Sequence, residues 1–269
     1  DLNNFLQARS STFTAVDPGS IVDRTYRYST FGVYIQDDWR ATSRLTLNIG
    51  LRYEFQSDYV ERFDHGAALR DIYRDTQTTV GTPFLNPSKK NFSPRFGFAY
   101  DVKGDGKTAV RGGFGLLYDI APFTPGLKIS TVATPPFSSQ STVNPTRPAP
   151  NNFVDLTLPI TIPPGLSSRG LRLVDYNIQQ PHILQYNLTV ERQLPYDMGV
   201  TLAYAGSRGI NLLQAKEGNP TIPQFLADGR KFWAGNEPRT NPSWSNIELV
   251  TAAASSWYNS MQFSLQKRL

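Results

Sequence analysis

Few residues in this 269-residue chain have the types and spacing that chemistry requires. The only histidines are His65 and His182, and the chain has no cysteine. Protein sites for zinc and other transition metals are built largely from imidazole and thiolate ligands at short, recurrent spacings. Any metal site here would have to rely on carboxylates, and their spacing suggests none. We therefore expect no metal and no cofactor.

Three short motifs are similar to catalytic or nucleotide-binding signatures but fail in detail. Gly106-Lys107-Thr108 ends like a phosphate-binding loop, but Asp101 stands where the first glycine is required, and a strand is expected to follow instead of a helix. Gly112-Gly113-Phe114-Gly115 is a poor dinucleotide fingerprint. Gly165-Leu166-Ser167-Ser168-Arg169 lacks the last glycine of a nucleophile elbow. These failures predict a tight turn at Gly106 and no enzymatic activity.

Charged side chains within otherwise alternating segments form the first candidate binding set: Arg52, Glu54, Arg95, Arg111 and Glu191. If strands place them on one face, that face is too polar for a hydrophobic core and suits a hydrated lumen. The lumen-facing side chains would then either contact a solute or form a network that keeps a wide wall solvated. The second interpretation is the one we favour from the sequence.

Aromatic and basic residues of segment 208–255 form the second candidate set, the loop ligand-contact residues: Phe225, Arg230, Phe232, Trp233 and Trp244. Lys231 and Arg239 lie among them. Aromatic rings stack on sugars and peptide groups, and cations lie favourably over aromatic faces. The set therefore suits an oligosaccharide or peptide ligand, although loops packing on one another would explain it equally well.

The elements that carry these residues follow a period of two. From Leu45 to Gln56, six apolar side chains at odd positions alternate with six polar or glycine positions. Successive side chains of a strand point to opposite faces, so this segment predicts one apolar and one polar face. The same pattern predicts seven strands, with a weak eighth in Leu2–Phe13. The seven are 25–39, 45–57, 92–102, 108–119, 182–194, 199–207 and 256–269.

Short and long connections alternate between these strands. Three hairpins have tight turns, whereas the segments 59–91, 120–181 and 208–255 are predicted as long loops. Unstructured loops of this length are unusual in a compact soluble domain but typical of membrane barrels, whose periplasmic turns are short and extracellular loops long. Opposed residues share a face, so if Trp39 and Leu45 both point outward, the turn between them must hold an odd number of residues, and the same applies to the other two hairpins. With five-residue turns, Phe98 would lie over Gly112.

Strand length and aromatic placement favour a membrane over a soluble sandwich. The predicted strands reach 9 to 15 residues, and a tilted strand needs about 9 to 11 to cross a bilayer. Aromatic side chains gather at strand ends, as in the girdles of outer-membrane barrels. The predicted membrane girdle is Trp39, Phe55, Phe92, Tyr100, Tyr118 and Trp257. We thus predict an all-β fold, an antiparallel transmembrane β-barrel segment of a wider barrel.

The composition excludes other classes of protein. Charged residues are 18% of the chain, and the net charge of +5 is not concentrated in a run. A nucleic-acid partner is therefore not expected. No segment approaches the roughly 18 consecutive apolar residues of a spanning helix. The chain starts at Asp1 without a signal-like segment and ends within an alternating pattern, which suggests a fragment.

Four segments carry a resemblance to a known family: Phe31–Trp39, Leu45–Glu54, Asn91–Asp101 and Lys107–Gly115. They resemble the barrel signature of TonB-dependent outer-membrane receptors, most closely the Oar-like group, which has an N-terminal carboxypeptidase-regulatory-like domain. The resemblance implies a 22-stranded barrel with a plug, located in the outer membrane and energised by the TonB complex. This sequence shows no plug and no TonB box, so coupling would depend on a missing N-terminal region.

Three functions fit these observations. The first is the barrel portion of an importer for a bulky solute, either an oligosaccharide, a peptide or a metal chelate, with outer-membrane lipid as its surroundings. The second is an outer-membrane adhesion or structural barrel without import. The third is a soluble secreted β-sandwich that binds a ligand. A layer of protein over Leu47, Ile49, Phe96 and Val190 would exclude the first two.

Overall fold

A computed structural model describes residues 2, 6–7, 12–86, 88–120, 127–128, 130–143 and 169–267. Sixteen β-strands lie within these ranges. They are β1 Phe13–Val16, β2 Tyr26–Arg27, β3 Thr30–Arg40, β4 Leu45–Gln56, β5 Val60–Glu61, β6 Ala67–Ala68, β7 Thr79–Val80, β8 Phe92–Asp101, β9 Thr108–Tyr118, β10 Gln140–Val143, β11 Leu171–Val174, β12 His182–Leu194, β13 Met198–Glu217, β14 Gln224–Phe225, β15 Lys231–Phe232 and β16 Ile247–Lys267.

One eight-stranded sheet dominates the molecule, in the order β11-β16-β13-β12-β9-β8-β4-β3. Its seven long strands pair antiparallel with their neighbours along the sheet. We call these seven strands the wall. The antiparallel all-β architecture with short turns and long loops is the fold class that the alternating pattern predicted.

The short turns keep the expected parity. Phe98 pairs with Gly112 and Phe96 with Phe114, which confirms the register predicted for the β8–β9 hairpin. The other two hairpins have a different register from the one predicted: Trp39 lies opposite Leu47 instead of Leu45, and Leu194 lies opposite Met198 instead of Val200. Each shift is by two residues, so the faces are unchanged.

Two strands are much longer than the sequence pattern indicated. β13 continues to Glu217, ten residues past the predicted end at 207, and β16 begins at Ile247, nine before the predicted start at 256. Alternation is lost in β13 because the register shifts around Gly209 to Leu212, where Asn211 has a φ of 55°. Predicted loop 208–255 therefore shrinks to the segment 218–246.

The eighth strand of the sheet is not the predicted Leu2–Phe13, most of which lies outside the described residues. It is β11, within predicted loop 120–181, and it pairs parallel to the start of β16. Leu171, Leu173, Ile247 and Leu249 are all buried. β11 has only four residues, too few for an alternation of apolar and polar side chains to stand out from the sequence. Two more parts of the pattern also change: Tyr26–Arg27 separates from β3 to pair with β5, and β1 pairs with β10.

The long connections fold into one packed region, which we call the cap: residues 57–91, 119–181 and 218–246 as far as described, with the adjoining ends of β13 and β16. Every buried hydrophobic side chain among the described residues belongs to the cap. Tyr59, Phe84, Val174, Ile178 and Val250 form one core with Leu127. Leu69 joins the β11 and β16 leucines and Ile247 in a second. The wall has no such core.

No helix among the described residues has the length and apolar character needed to cross a membrane.

Candidate functional site

One side of the wall is apolar and uncovered by described residues. We call it the apolar face. Ile35 and Met261 are each 73% exposed, and Ile49, Phe96 and Val190 are also exposed, while Leu47 is half-buried between its neighbours. A soluble sandwich would bury these groups under a second sheet, because burial of apolar surface is its main source of stability. No described element does so, and an exposed apolar patch of this extent indicates a contact with lipid or protein.

The apolar face contains two glycines that lie beneath aromatic rings and one polar side chain, Asn259, that is hydrogen-bonded. The Phe98 ring lies over Gly112, and the Tyr186 ring lies over Gly206, where a methyl group would come within 2.3 Å of ring carbon Cε2. The hydroxyls of Tyr186 and Tyr204 both donate to Asn259 Oδ1, at 3.3 and 2.6 Å. A polar side chain facing hydrocarbon needs such partners.

Charged residues of the apolar face lie towards its ends. Arg192 and Lys267 are near the short turns, Asp37 lies opposite Ile49 three residues before the short-turn end of β3, and Arg208 is near the long loops with its guanidinium 5.6 Å from the Trp257 ring centroid. The predicted girdle residues occupy the same face: Trp39 and Tyr100 near the short turns, and Phe55, Phe92, Tyr118 and Trp257 near the cap. Trp39, Phe92, Tyr100 and Trp257 are exposed, whereas Phe55 and Tyr118 are half-buried.

The opposite side of the wall, which we call the polar face, holds all five charged candidates. Arg52 Nη2 lies 2.6 Å from Glu54 Oε1, and Arg111 Nη1 lies 3.1 Å from Glu191 Oε2 on the neighbouring strand. Arg95 is exposed and lines a groove of about 300 Å³ together with Arg52, Tyr34 and Gln36. The structure brings Arg52, Glu54 and Arg95 together but keeps Arg111 and Glu191 as a separate pair.

The cap folds over the polar face and leaves the apolar face bare. At the cap end of the wall, the polar-face residues Gln56 and Ser93 are 0% and 1% exposed. Phe92, adjacent to Ser93 but on the apolar face, is 50% exposed. The long loops therefore lie on the polar side of the wall.

The candidate loop residues divide into two kinds. Trp244 packs against the second cap core, and its Nε1 donates to the Asp75 carbonyl at 2.9 Å. Phe225 and Phe232, by contrast, lie on the two-stranded hairpin β14–β15 and are 69% and 45% exposed, with Trp233 beside them at 49%. Arg230 is paired with Asp228 on the same hairpin.

The Gly106 segment is a turn, as predicted. Asp101 Oδ1 accepts the Gly104 amide and Oδ2 the Gly106 amide, both at 2.9 Å. Both glycines have positive φ, 76° and 71°, a conformation that side chains other than glycine rarely adopt. The carboxylate thus occupies the amides that a phosphate would need. Among the described residues no group of His, Asp and Glu side chains could hold a metal ion.

Sequence reasoning missed Glu61, a buried carboxylate of the cap. Its Oε1 accepts the Thr25 amide, and its Oε2 accepts the amides of Phe63 and His65, all at 2.8 Å. Burial opposes ionisation of the carboxyl, but these three hydrogen bonds prevail and lower its pKa. A single glutamate inside a predicted loop gives no signal for this role.

A wall of long antiparallel strands, with one bare apolar face and one charged face, defines a transmembrane β-barrel protein. The sequence profile described as outer membrane beta barrel domain matches residues 1–269. The chain belongs to this family and is located in the outer membrane.

Two solved structures are similar to this chain over part of their own length. The siderophore receptor PirA from Acinetobacter baumannii matches with 13% identity and a TM-score of 0.44, over 88% of this chain and 25% of that one. The siderophore receptor PirA from Pseudomonas aeruginosa matches with 10% identity and a TM-score of 0.35, over 89% of this chain and 40% of that one. The chain thus spans less than half of either receptor. No curated protein sequence matched.

Proposed function

We propose that this chain supplies wall strands and extracellular loops to a TonB-dependent importer of the Oar-like group. The solute would be bulky, either an oligosaccharide, a peptide or a metal chelate. The barrel is wider than the described wall, with 22 strands. Coupling to the TonB complex is assigned to a plug and TonB box in a region N-terminal to this sequence.

The observation that carries the proposal is the position of the cap over the charged face. Five ionisable side chains on one face of a wall favour a hydrated environment, because removing charged groups from water is costly even when they are paired. A hydrated interior would meet that need. The cap then stands over the mouth of that interior, where a solute arriving from outside would first be bound.

We assign solute contact first to the exposed hairpin β14–β15 and then, further into the barrel, to the groove lined by Arg52 and Arg95. Phe225, Phe232 and Trp233 present aromatic rings to solvent, which suits stacking on sugar rings or on a chelate. Arg52, Glu54, Arg95, Arg111 and Glu191 line the interior below. Trp244 is left out of the ligand-contact set because its ring and its N–H are used inside the cap.

Uptake measurements test the proposal. The full-length protein would be produced in cells with and without TonB, and both strains offered labelled oligosaccharides, peptides and iron chelates. We expect one class to accumulate only when receptor and TonB are both present. A triple replacement of Phe225, Phe232 and Trp233 by Ala should lower this accumulation at least tenfold, given about 1 kcal/mol per aromatic contact. Equal accumulation without TonB would contradict import by this mechanism.

An adhesion role is the second candidate, favoured by the exposed hairpin alone. It predicts binding of a solute or surface to intact cells that is the same in both strains, with no accumulation inside. That outcome would replace the importer proposal, since the same rings would then hold a partner without passing it on.

A further inference from the structure

A turn with two adjacent lysines lies at the cap end of the apolar face, outside the proposed import path. It comprises residues 88–91. The Tyr53 hydroxyl donates to the Lys89 carbonyl at 3.0 Å, and the Phe92 amide donates to the Lys90 carbonyl at 2.9 Å. Tyr53 and Phe92 lie on the apolar face with ring centroids 5.0 Å apart. The lysine turn is thus attached to the outer aromatic girdle.

Side-chain hydrogen bonds fix the turn from the cap side as well. Asn91 Nδ2 donates to the Ser88 carbonyl at 2.9 Å, and Ser88 Oγ accepts the Gln180 amide at 2.9 Å. Both lysines are exposed, while Asn91 is buried. The backbone that carries the two ammonium groups is therefore held in place, although the side chains reach solvent.

The lysines border a surface depression of about 340 Å³, which also involves Tyr118, His182 and Asn211. The Tyr118 and His182 rings belong to the apolar face and lie 5.1 Å apart. No carboxylate lines the depression, and within the described ranges neither lysine forms an ion pair. The two ammonium groups therefore have no carboxylate partner at ion-pair distance among the described residues.

We propose that this depression binds the phosphate-bearing headgroup of a lipid in the outer leaflet. Lysine is a point charge suited to phosphate, and each cation at a membrane surface strengthens attachment to an anionic headgroup several-fold. The aromatic rings beneath the lysines are at the level where headgroups meet acyl chains. A lipid is favoured over a soluble anion because two rings of the apolar face, those of Tyr118 and His182, line the depression. This inference rests on the outer-membrane location and not on import.

Native mass spectrometry of the full-length protein in detergent tests the proposal. The probes are phosphatidic acid, diacylglycerol with the same acyl chains, and inorganic phosphate. We expect phosphatidic acid to remain bound and diacylglycerol to be lost. The K89Q/K90Q variant should bind phosphatidic acid at least tenfold more weakly, because both ammonium groups contribute. Neither change touches the backbone hydrogen bonds that hold the turn.

The matched control is K103Q/K107Q, which removes the same charge from a short turn at the opposite end of the wall. It should bind phosphatidic acid as the unmodified protein does. Three results would overturn the proposal: K89Q/K90Q binding as tightly as the control, diacylglycerol being retained equally, or inorganic phosphate displacing the lipid at millimolar concentration. The last would assign the site to a soluble anion. Heat-dependent gel mobility would verify that each variant is folded.

Discussion

At the scale of single residues, aromatic rings of the wall closely approach glycines on the neighbouring strands. Gly206 lies beneath Tyr186, whose hydroxyl binds Asn259. The contact lets an aromatic ring lie flat on the neighbouring strand, a device known from curved sheets. Substitution of such a glycine therefore tests the structure directly.

Replacement G206A should destabilise the protein by about 1–3 kcal/mol, because the new methyl group displaces the Tyr186 ring and its hydrogen bond to Asn259. Thermal unfolding in detergent measures the change. The control is G199A on the same strand, where an added methyl group has no atom within 4 Å. In the double variant Y186A/G206A the cost of the glycine change should largely disappear, because the clashing ring is gone. Equal effects of G206A and G199A would contradict the geometry.

The Glu61 carboxylate gives the cap a pH dependence with a defined sign. Its folded pKa lies below the unfolded value of about 4.3, so its stabilisation is complete above that value and is lost as the pH falls through the folded pKa. We expect E61Q to weaken hydrogen-exchange protection of the Thr25, Phe63 and His65 amides by about 1–3 kcal/mol at pH 7. The two proteins should converge at acidic pH. A constant difference at every pH would show that Glu61 acts only by its shape.

At the scale of elements, the two tryptophans of the candidate loop set have opposite roles. W244A should destabilise the cap by about 3 kcal/mol, because it removes a packed ring and the hydrogen bond to Asp75, and limited proteolysis of the cap measures it. W233A is the matched control and should change cap stability by less than about 0.5 kcal/mol. Faster proteolysis of W233A than of W244A would reverse the assignment.

Alternation predicted the elements that face two different media and missed those that do not. Leu45–Gln56 and His182–Leu194 each contribute to both the apolar and the polar face, so the alternation of their side chains was enough to predict both strands. Leu171–Val174 is only four residues long, and in Ile247–Thr251 the adjacent residues Val250 and Thr251 are both buried, so neither segment gives a sustained alternation. The same logic applies to the sites: the charged residues were visible because they interrupt apolar strands, whereas Glu61 was not.

At the scale of the whole molecule, strand direction limits how the wall can close. Six antiparallel steps separate β3 from β16, so these two strands run in the same direction. Pairing between two copies of this wall would be parallel, whereas bacterial barrels of this class are antiparallel with an even number of strands. An odd number of further strands is therefore needed to close the wall into an antiparallel barrel. The proposed 22-stranded barrel meets this condition, because it adds fifteen strands to the seven of the wall.

The central claim is that hydrocarbon covers the apolar face and water the polar face, and spin-label accessibility tests it most directly. Because the chain has no cysteine, single cysteines can be placed at the neighbouring positions Asn48 and Ile49, and Thr189 and Val190, in the full-length protein in phosphatidylcholine vesicles. Labels at Ile49 and Val190 should collide with oxygen, and labels at Asn48 and Thr189 with a water-soluble nickel complex. Labels at Ile49 and Val190 that reach neither reagent, or prefer nickel, would contradict the account.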